Sequence, residues 1–381
     1  MTEYSPLKRR LLEIWKNLEI ESSKGLIRAI EIARTGFWFE RLRHSTNSKT
    51  SYALGKFLQP ESYGKRKKTG ESDDSNALAS PETKLSKKSV SEPKYHDNLW
   101  RRYACGEVVP SSELIDLVDK KVLGSKANFH HSLFDELNTE QPIGRNGTER
   151  LKKLHPAVQR AVFENDALAA GIYRRRKGIG RTLGWLERCG SMDAMAATII
   201  LLREALEQDD HEAAYKIAQS LFRISIIAFT VGPGICVRFE IATLLSILIF
   251  PLVTSHGRIY TASTKHYWDC FDLLSRTLRR MEDRYQIGVS DVDTRNAAWK
   301  IIRGDYGDDL RWALNSPTAI EAENKEPSIA MRNAVLRDQV FSTWAWESIR
   351  SGETVTFLPS TVLDQLKQEQ DRMESEYAMR K

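Results

Sequence analysis

The chain has 381 residues, of which 41% are hydrophobic and 28% are charged, and its formal net charge is +6. This is the composition of a globular protein that is long enough for two domains. The four cysteines contain no CxxC pair, which excludes a disulfide-rich scaffold and favours reduced thiols. The N-terminus has no apolar run of the kind that a secretory signal requires, so we expect a cytoplasmic protein.

The basic excess is concentrated in two parts of the chain. Residues 1–100 carry 19 basic and 13 acidic side chains, and residues 151–200 carry 9 and 4. Residues 301–381 are acidic, with 14 acidic and 10 basic side chains. This uneven charge is compatible with duplex DNA or another polyanion as a partner, although many proteins that bind no nucleic acid share it.

The first hundred residues divide into helices and a polar linker. Apolar residues at helical spacing predict two helices within residues 6–44 and a short third helix within 50–60. The aromatic run Phe37–Trp38–Phe39 indicates core packing or a partner contact, with stacking on nucleic-acid bases as the alternative. Residues 61–95 are rich in Ser, Lys, Glu and Asp and poor in large apolar residues, so we expect a disordered linker there.

Residues 99–124, LWRRYACGEVVPSSELIDLVDKKVLG, carry the most specific pattern in the chain. Trp100 and Tyr103 lie three apart and share one face of a predicted helix, which Gly106 can end. A serine at position 111 or 112 can cap a second helix. The apolar stripe of that second helix consists of Leu114, Ile115, Leu117, Val118 and Val122. The prediction is therefore a helix, a short turn and another helix.

This segment resembles the third and fourth helices of the Cro/phage-repressor class of helix-turn-helix domains. In that class an aromatic residue is followed by a glycine three later, a proline four after that, and apolar residues five and eight past the proline. The matching residues are Tyr103, Gly106, Pro110, Ile115 and Val118. The two short helices that precede this segment in the class are not evident from the sequence. The resemblance implies duplex-DNA binding, with Asn98, Arg101 and Arg102 facing the duplex. A helical hairpin that serves only for packing is the alternative.

Beyond a loop-like stretch at 125–150, the pattern predicts one helix after another to about residue 350. The helices at 191–206 and 211–230 are expected to form an antiparallel hairpin. The apolar runs 224–237 and 241–255 are too short to cross a membrane and are expected in the buried centre, with a membrane hairpin as the alternative. Residues 351–358 form the one clear strand-like run, and residues 360–380 a charged terminal helix.

Residues 172–185, IYRRRKGIGRTLGW, hold a dense group of cations. These are Arg174, Arg175, Arg176, Lys177 and Arg181. We interpret them as phosphate contacts at the end of a helix beside a glycine loop, with an exposed helix C-terminus that binds no ligand as the alternative. A helix is expected before the glycines, whereas a dinucleotide-binding fingerprint needs a preceding strand.

The sequence contains no recognisable catalytic or cofactor-binding motif. Asp305, Asp308 and Asp309 are clustered, but Asp308 is better explained as the cap of the next helix than as a magnesium ligand. The eight histidines show no zinc or catalytic spacing, so no metal site is expected. An enzyme is not favoured, although catalytic residues can assemble from distant parts of a sequence.

The sequence thus predicts an all-α protein with a helix-turn-helix-like N-terminal part and a larger multi-helical domain. Its parts are N-terminal helices (1–60), a linker (61–95), the helix-turn-helix-like unit (96–140), the helical domain (141–350), and a short strand with a C-terminal helix (351–381). The leading hypothesis is a nucleic-acid-associated regulatory protein whose helical domain binds a protein partner or self-associates. The alternative is a helical protein–protein adaptor that binds no nucleic acid. Neither hypothesis involves a membrane.

Overall fold

The computed structural model describes residues 16–17, 22–60, 94–255, 257–288, 290–315, 318–320, 328–352 and 357–380. In these ranges the chain is predominantly helical, which confirms the all-α prediction. Most of the helix expected near the N-terminus, residues 61–93 of the linker expected at 61–95, and residues 353–356 of the strand-like run expected at 351–358 lie outside the described residues. Residues 94 and 95 begin a helix and Ser351 ends another, which corrects these two boundaries. The chain divides into an N-terminal unit, residues 1–18 and 34–130, and a C-terminal unit, residues 19–33 and 131–381.

The N-terminal unit is built from helices that the sequence largely predicted. The helix expected within residues 50–60 is confirmed, and Thr50 caps it by accepting a hydrogen bond from the Ala53 amide. The helix pair within residues 99–124 is also confirmed. The helices are α1 (Ser23–Ser45, in this unit from Arg34 onward), α2 (Ser51–Leu58), α3 (Lys94–Ala104), α4 (Ser112–Lys121) and α5 (Ser125–Phe129).

An aromatic cluster forms the core of the N-terminal unit. Phe37, Trp38 and Phe39 are each at most 2% exposed, which confirms core packing as the role of this run. Aliphatic side chains from α2 and α4 complete the cluster, because each of these helices turns one apolar face inward. The buried members besides Trp38 and Phe39 are Leu42, Leu54, Leu58, Trp100, Tyr103, Ile115, Val118 and Phe129.

The first half of the C-terminal unit corrects one sequence prediction and confirms another. The stretch 125–150, expected as a loop, contains short helices, of which those after residue 130 belong to this unit. The hairpin at 191–230 is confirmed, with Ser191 and Asp210 as the caps of its two helices. The helices are α6 (Ser132–Glu136), α7 (Gly147–Lys152), α8 (Pro156–Val162), α9 (Asn165–Ala169), α10 (Ile179–Cys189), α11 (Met192–Glu207) and α12 (His211–Thr230).

The second half of the C-terminal unit adds a small sheet that the sequence did not reveal. Its three antiparallel strands follow the order β1–β2–β3, with Thr254 opposite Ile259 and Tyr260 opposite Thr318. The strands are β1 (Thr254–Ser255), β2 (Arg258–Tyr260) and β3 (Thr318–Ile320). The helices are α13 (Arg238–Leu244), α14 (Thr264–Asp283), α15 (Asp291–Arg303), α16 (Asp308–Ala313), α17 (Ile329–Ser351) and α18 (Ser360–Arg380).

The apolar run between α12 and β1 is helical but irregular. A 3₁₀ turn at Pro233–Val237 leads into α13, and a π-helical turn at Leu245–Ile249 follows it. In the described part of the chain, Pro233–Leu252 is the one helical stretch that is long and apolar enough to cross a membrane, and half of its most apolar window is buried. Core helices meet the same criterion, so this feature is weak evidence for a membrane span.

Two half-buried histidines of the C-terminal unit each make a hydrogen bond to the backbone. His131 begins α6, where its Nδ1 accepts a hydrogen bond from the Leu133 amide. His266 stacks on Phe222 at 5.5 Å and places Nε2 3.0 Å from the Asn315 carbonyl oxygen. Burial lowers the pKa of both imidazoles from the ordinary 6.5, and Asp193 beside His131 and the Asn315 carbonyl beside His266 partly oppose this effect.

Replacing His131 by asparagine is expected to flatten the pH dependence of stability on the acid side. The unfolded chain takes up protons first as the pH falls below 6.5, because the pKa of His131 is lowered in the folded state. Each such histidine therefore lowers the free energy of unfolding by at most about 1.4 kcal/mol for each unit by which the pH falls. Asparagine keeps a helix cap without titrating. Urea unfolding at several pH values between 8 and about 5 measures the free energy of unfolding as a function of pH. An equal change of this free energy with pH in wild type and H131N would contradict the prediction.

Candidate nucleic-acid interface

The turn between α3 and α4 has the backbone geometry that its sequence predicted. Gly106 has a φ of 66°, which is the left-handed conformation that ends a helix. Of the two candidate serines, Ser111 is the cap of α4, and its hydroxyl accepts a hydrogen bond from the Leu114 amide over 3.3 Å. In the apolar stripe of α4, Ile115 and Val118 are buried, whereas Leu117 is 39% exposed.

Aromatic contacts fix the orientation of α3. The Trp100 ring stacks on Trp38, with centroids 6.1 Å apart and planes inclined by 20°. Tyr103 meets the edge of the same Trp38 ring at 6.2 Å, and Phe129 meets it at 5.9 Å. Because the two aromatic side chains of α3 are anchored on one residue of α1, the helix cannot rotate about its axis without breaking these contacts.

Two helices before α3 pack into the same cluster, although the sequence did not make this evident. The Trp100 indole N–H donates to Gln59 Oε1 over 3.2 Å, which holds α3 against the end of α2. Lys121 at the end of α4 donates to the Leu58 carbonyl oxygen over 2.6 Å. The C-terminal part of α1 supplies Trp38. Residues 61–93 lie between α2 and α3 in the chain, where a helix-turn-helix has a tight turn.

The side of α3 away from the cluster is basic. Arg101 is exposed, and Arg102 is half-buried with its Nε 3.5 Å from Glu107 Oε2. Asn98 lies on the same helix, but its side chain is outside the described part of the structure. Residues 34–60 and 94–130 together carry 11 basic and 6 acidic side chains, a net charge of +5. The described part of α3 thus presents cations outward.

The outward side of α4 carries charges of both signs, which distinguishes it from α3. Backbone and Ser111 hydrogen bonds lower the pKa of Glu113. Lys126 hydrogen-bonds Asp116 over 2.7 Å and lowers the pKa of that carboxyl group. Both groups are therefore ionised at neutral pH; Glu113 repels phosphate, whereas Lys126 offsets the charge of Asp116. The charge pattern favours α3 over α4 as the surface for a polyanion.

The basic segment 172–181 is placed differently from the prediction. It is not the C-terminus of a helix: α9 ends at Ala169, Arg175 pairs with Phe163 in an isolated antiparallel bridge, and α10 begins only at Ile179. The arginines therefore precede a helix N-terminus.

Three of these cations have intramolecular partners. Arg174 lies 3.5 Å from Glu164, and Arg175 lies 2.9 Å from Glu204. Arg176 donates to the Arg160 carbonyl oxygen and to Asn165. Lys177 and Arg181 are exposed and have no ion-pair partner among the described residues. The structure thus leaves two of the five predicted cations open to a ligand.

Within the aspartate cluster, Asp308 has a structural role that differs from the prediction. Gly307, with a φ of 137°, is the residue that precedes α16, so Asp308 is not its cap. Asp308 instead accepts a hydrogen bond from the Leu358 amide over 3.2 Å. Among the residues that the structure describes, no three histidine, cysteine or acidic side chains gather as a metal site would require.

A further group of cations was missed because it is assembled from distant segments. Arg188 of α10 and Arg303 of α15 both lie over the Trp299 ring, at 5.7 Å and 4.8 Å from its centroid. Arg295 lies on α15 one turn before Trp299. The i, i+4, i+8 spacing of Arg295, Trp299 and Arg303 was the one sequence signal that could have indicated this group.

The chain matches no protein-family model, no curated protein and no solved structure. Function is therefore inferred from the residues and their geometry.

Proposed function

We propose that the protein is a nucleic-acid-associated regulatory protein that binds duplex DNA through the outward side of α3. The observation that carries this proposal is the exposure of Arg101 on a helix whose opposite side is anchored by Trp100 and Tyr103. Arg102 adds a second cation beside it. A rigid helix with an outward basic side is the element that a helix-turn-helix domain places in the major groove.

The packing of α2 and α3 supports the same proposal. In helix-turn-helix proteins the first helix of the pair crosses the DNA backbone while the second enters the groove. Here α2 is bonded to α3 through Gln59 and Trp100 and carries the exposed cation Lys56. The C-terminal unit then serves to bind a protein partner or a second copy of the chain. A cytoplasmic location fits this function.

Replacing Arg101 and Arg102 together by alanine is expected to weaken duplex binding by about tenfold or more without unfolding the chain. Each lost phosphate contact also reduces the slope of log affinity against log salt by about 1. Fluorescence anisotropy with a labelled duplex, measured at several salt concentrations, gives both values. Circular dichroism confirms that the variant is folded.

The matched control is the variant K265A/R276A. It also removes two exposed cations, but each lies on α14 beside its own carboxylate, Asp269 or Asp272. We expect its duplex affinity to stay within about twofold of wild type. Equal affinity of R101A/R102A and wild type would contradict the role of α3. No duplex binding by wild type at low salt would leave the protein–protein adaptor as the better hypothesis.

A further inference from the structure

The outward sides of α10 and α15 together form a surface that is rich in arginine and tryptophan. We call it the basic–tryptophan surface. Its members are Arg181, Trp185 and Arg188 of α10 and Arg295, Trp299 and Arg303 of α15. On each helix they recur at intervals of three or four residues, so each set lies along one side. The contact of Arg188 with Trp299 joins the two sets.

The arginines of this surface are not neutralised by the protein. None of the four has a carboxylate within 4.0 Å among the described residues. The one acidic residue of α10, Glu187, is buried and paired with Arg223 at 2.6 Å. Like charges gathered without a counter-charge repel one another, and an anion in contact with them removes that repulsion.

Two hydrogen-bond donors next to these arginines are buried and lack an acceptor among the described residues. They are the Trp299 indole N–H and Arg295 Nε. Arg160 of α8 and the exposed Lys177 add further cations nearby. Arg295, Arg160 and Arg188 all act on Cys189 at the end of α10, where their charges counter the burial that raises the pKa of its thiol. The charges of these three arginines therefore converge around Cys189.

Trp185 gives this surface a second property besides charge. Its side chain is 48% exposed, four residues after Arg181 and three before Arg188. An exposed indole between cations is the arrangement on which unpaired bases stack while their phosphates are bound. The bases of a duplex are already stacked in pairs and cannot use it. An acidic peptide would satisfy the arginines but not the indole.

Two glycines leave the backbone of α10 uncovered at the same place. Gly180 and Gly184 are helical, and a Cβ atom added at either would meet nothing within 4 Å. Glycine is among the least favourable residues in a helix, and neither backbone conformation nor internal packing requires it here. What glycine provides is an open approach to the helix backbone on either side of Arg181, at Gly180 and at Gly184.

We propose that the basic–tryptophan surface binds single-stranded nucleic acid, with its arginines on the phosphates and Trp185 stacked on a base. This function goes beyond duplex binding by α3 and uses none of the residues assigned to it. The occupant is inferred from unpaired cations, the exposed indole and the uncovered backbone together.

The test is anisotropy with a labelled 20-nucleotide oligothymidine, a duplex of equal length and inorganic polyphosphate as competitor. All proteins carry R101A/R102A, so that failure of the α3 proposal does not affect the result. We expect R188Q/R303Q to weaken oligothymidine binding by about tenfold or more. We expect W185A to weaken oligothymidine binding by about fivefold or more, whereas W185F should retain most of the affinity. Polyphosphate has no bases to stack, so W185A should not change its binding.

The matched control for charge is again K265A/R276A, for which we expect affinity within about twofold of its parent. The proposal is overturned if W185A binds oligothymidine like its parent, or if R188Q/R303Q is no weaker than the control. Duplex binding as tight as oligothymidine binding overturns it as well. If R188Q/R303Q does not fold by circular dichroism, K177A/R181A replaces it, because both side chains are exposed and unpaired among the described residues.

Discussion

Replacing Trp38 by alanine is expected to destabilise the N-terminal unit by about 3–5 kcal/mol. Trp38 is fully buried and contacts the rings of Trp100 and Tyr103 on α3 and of Phe129 on α5. Its removal leaves a cavity at the point where α1, α3 and α5 meet. Because the free energy of unfolding of a small domain is about 5–15 kcal/mol, this loss is a large fraction of the stability of the unit.

Hydrogen exchange of the α3 and α4 amides, followed by mass spectrometry in the full chain, measures this effect locally. W38A is expected to accelerate it strongly. W38F is expected to destabilise the unit less than W38A does, because it keeps an aromatic ring and removes an indole N–H that has no acceptor among the described residues. Alanine at Phe57, which is 53% exposed on α2, is the control and should cost about 1 kcal/mol or less. Unchanged exchange in W38A would contradict the proposed core.

Replacing Arg203 by methionine is expected to destabilise the C-terminal unit by about 3–5 kcal/mol. Arg203 is 6% exposed on α11 and donates to the carbonyl oxygens of Glu136 and Gln141. Its guanidinium also lies 3.7 Å from the Glu136 carboxylate, which Arg150 contacts at 3.0 Å. Burial raises the pKa of Glu136, and the two arginines oppose this effect. Without Arg203 a buried carboxylate and two carbonyl groups lose a partner.

The double variant E136Q/R203M should be more stable than R203M, because it removes the charge that R203M leaves partly unpaired. R276M serves as the surface control. It breaks the exposed pair of Arg276 with Asp272, and we expect a change of no more than about 1 kcal/mol. Urea unfolding monitored by circular dichroism gives all four values. If R203M lowered the free energy of unfolding no more than R276M does, the buried contacts of Arg203 with Glu136 and Gln141 would not stabilise the unit.

The parts of the fold that were predictable depend on local sequence. Gly106, Pro110 and Ser111 determine the turn between α3 and α4 through backbone conformation and capping, which neighbouring residues decide. Long amphipathic helices such as α14 were predictable because their apolar spacing extends over several turns. The helices of five or six residues between 125 and 152 were missed because such short segments cannot establish a period.

The candidate sites were less predictable because they depend on contacts between distant residues. Arg188 and Arg303 share one tryptophan although 115 positions separate them in the chain. Conversely, Arg175 belongs to a basic run in the sequence, but the fold pairs it with Glu204, 29 positions away. Charge density along a sequence therefore does not tell which cations remain open once the chain is folded.

The bond between Gln59 and Trp100 has a thermodynamic consequence for the chain between them. These residues are 41 positions apart, so their contact closes a large loop that includes residues 61–93. The entropy lost on closing a flexible loop grows only with the logarithm of its length, so doubling that length costs about 0.6 kcal/mol. By this relation, adding or removing a few residues between Gln59 and Trp100 is expected to change the entropy of closing the loop by well under about 1 kcal/mol.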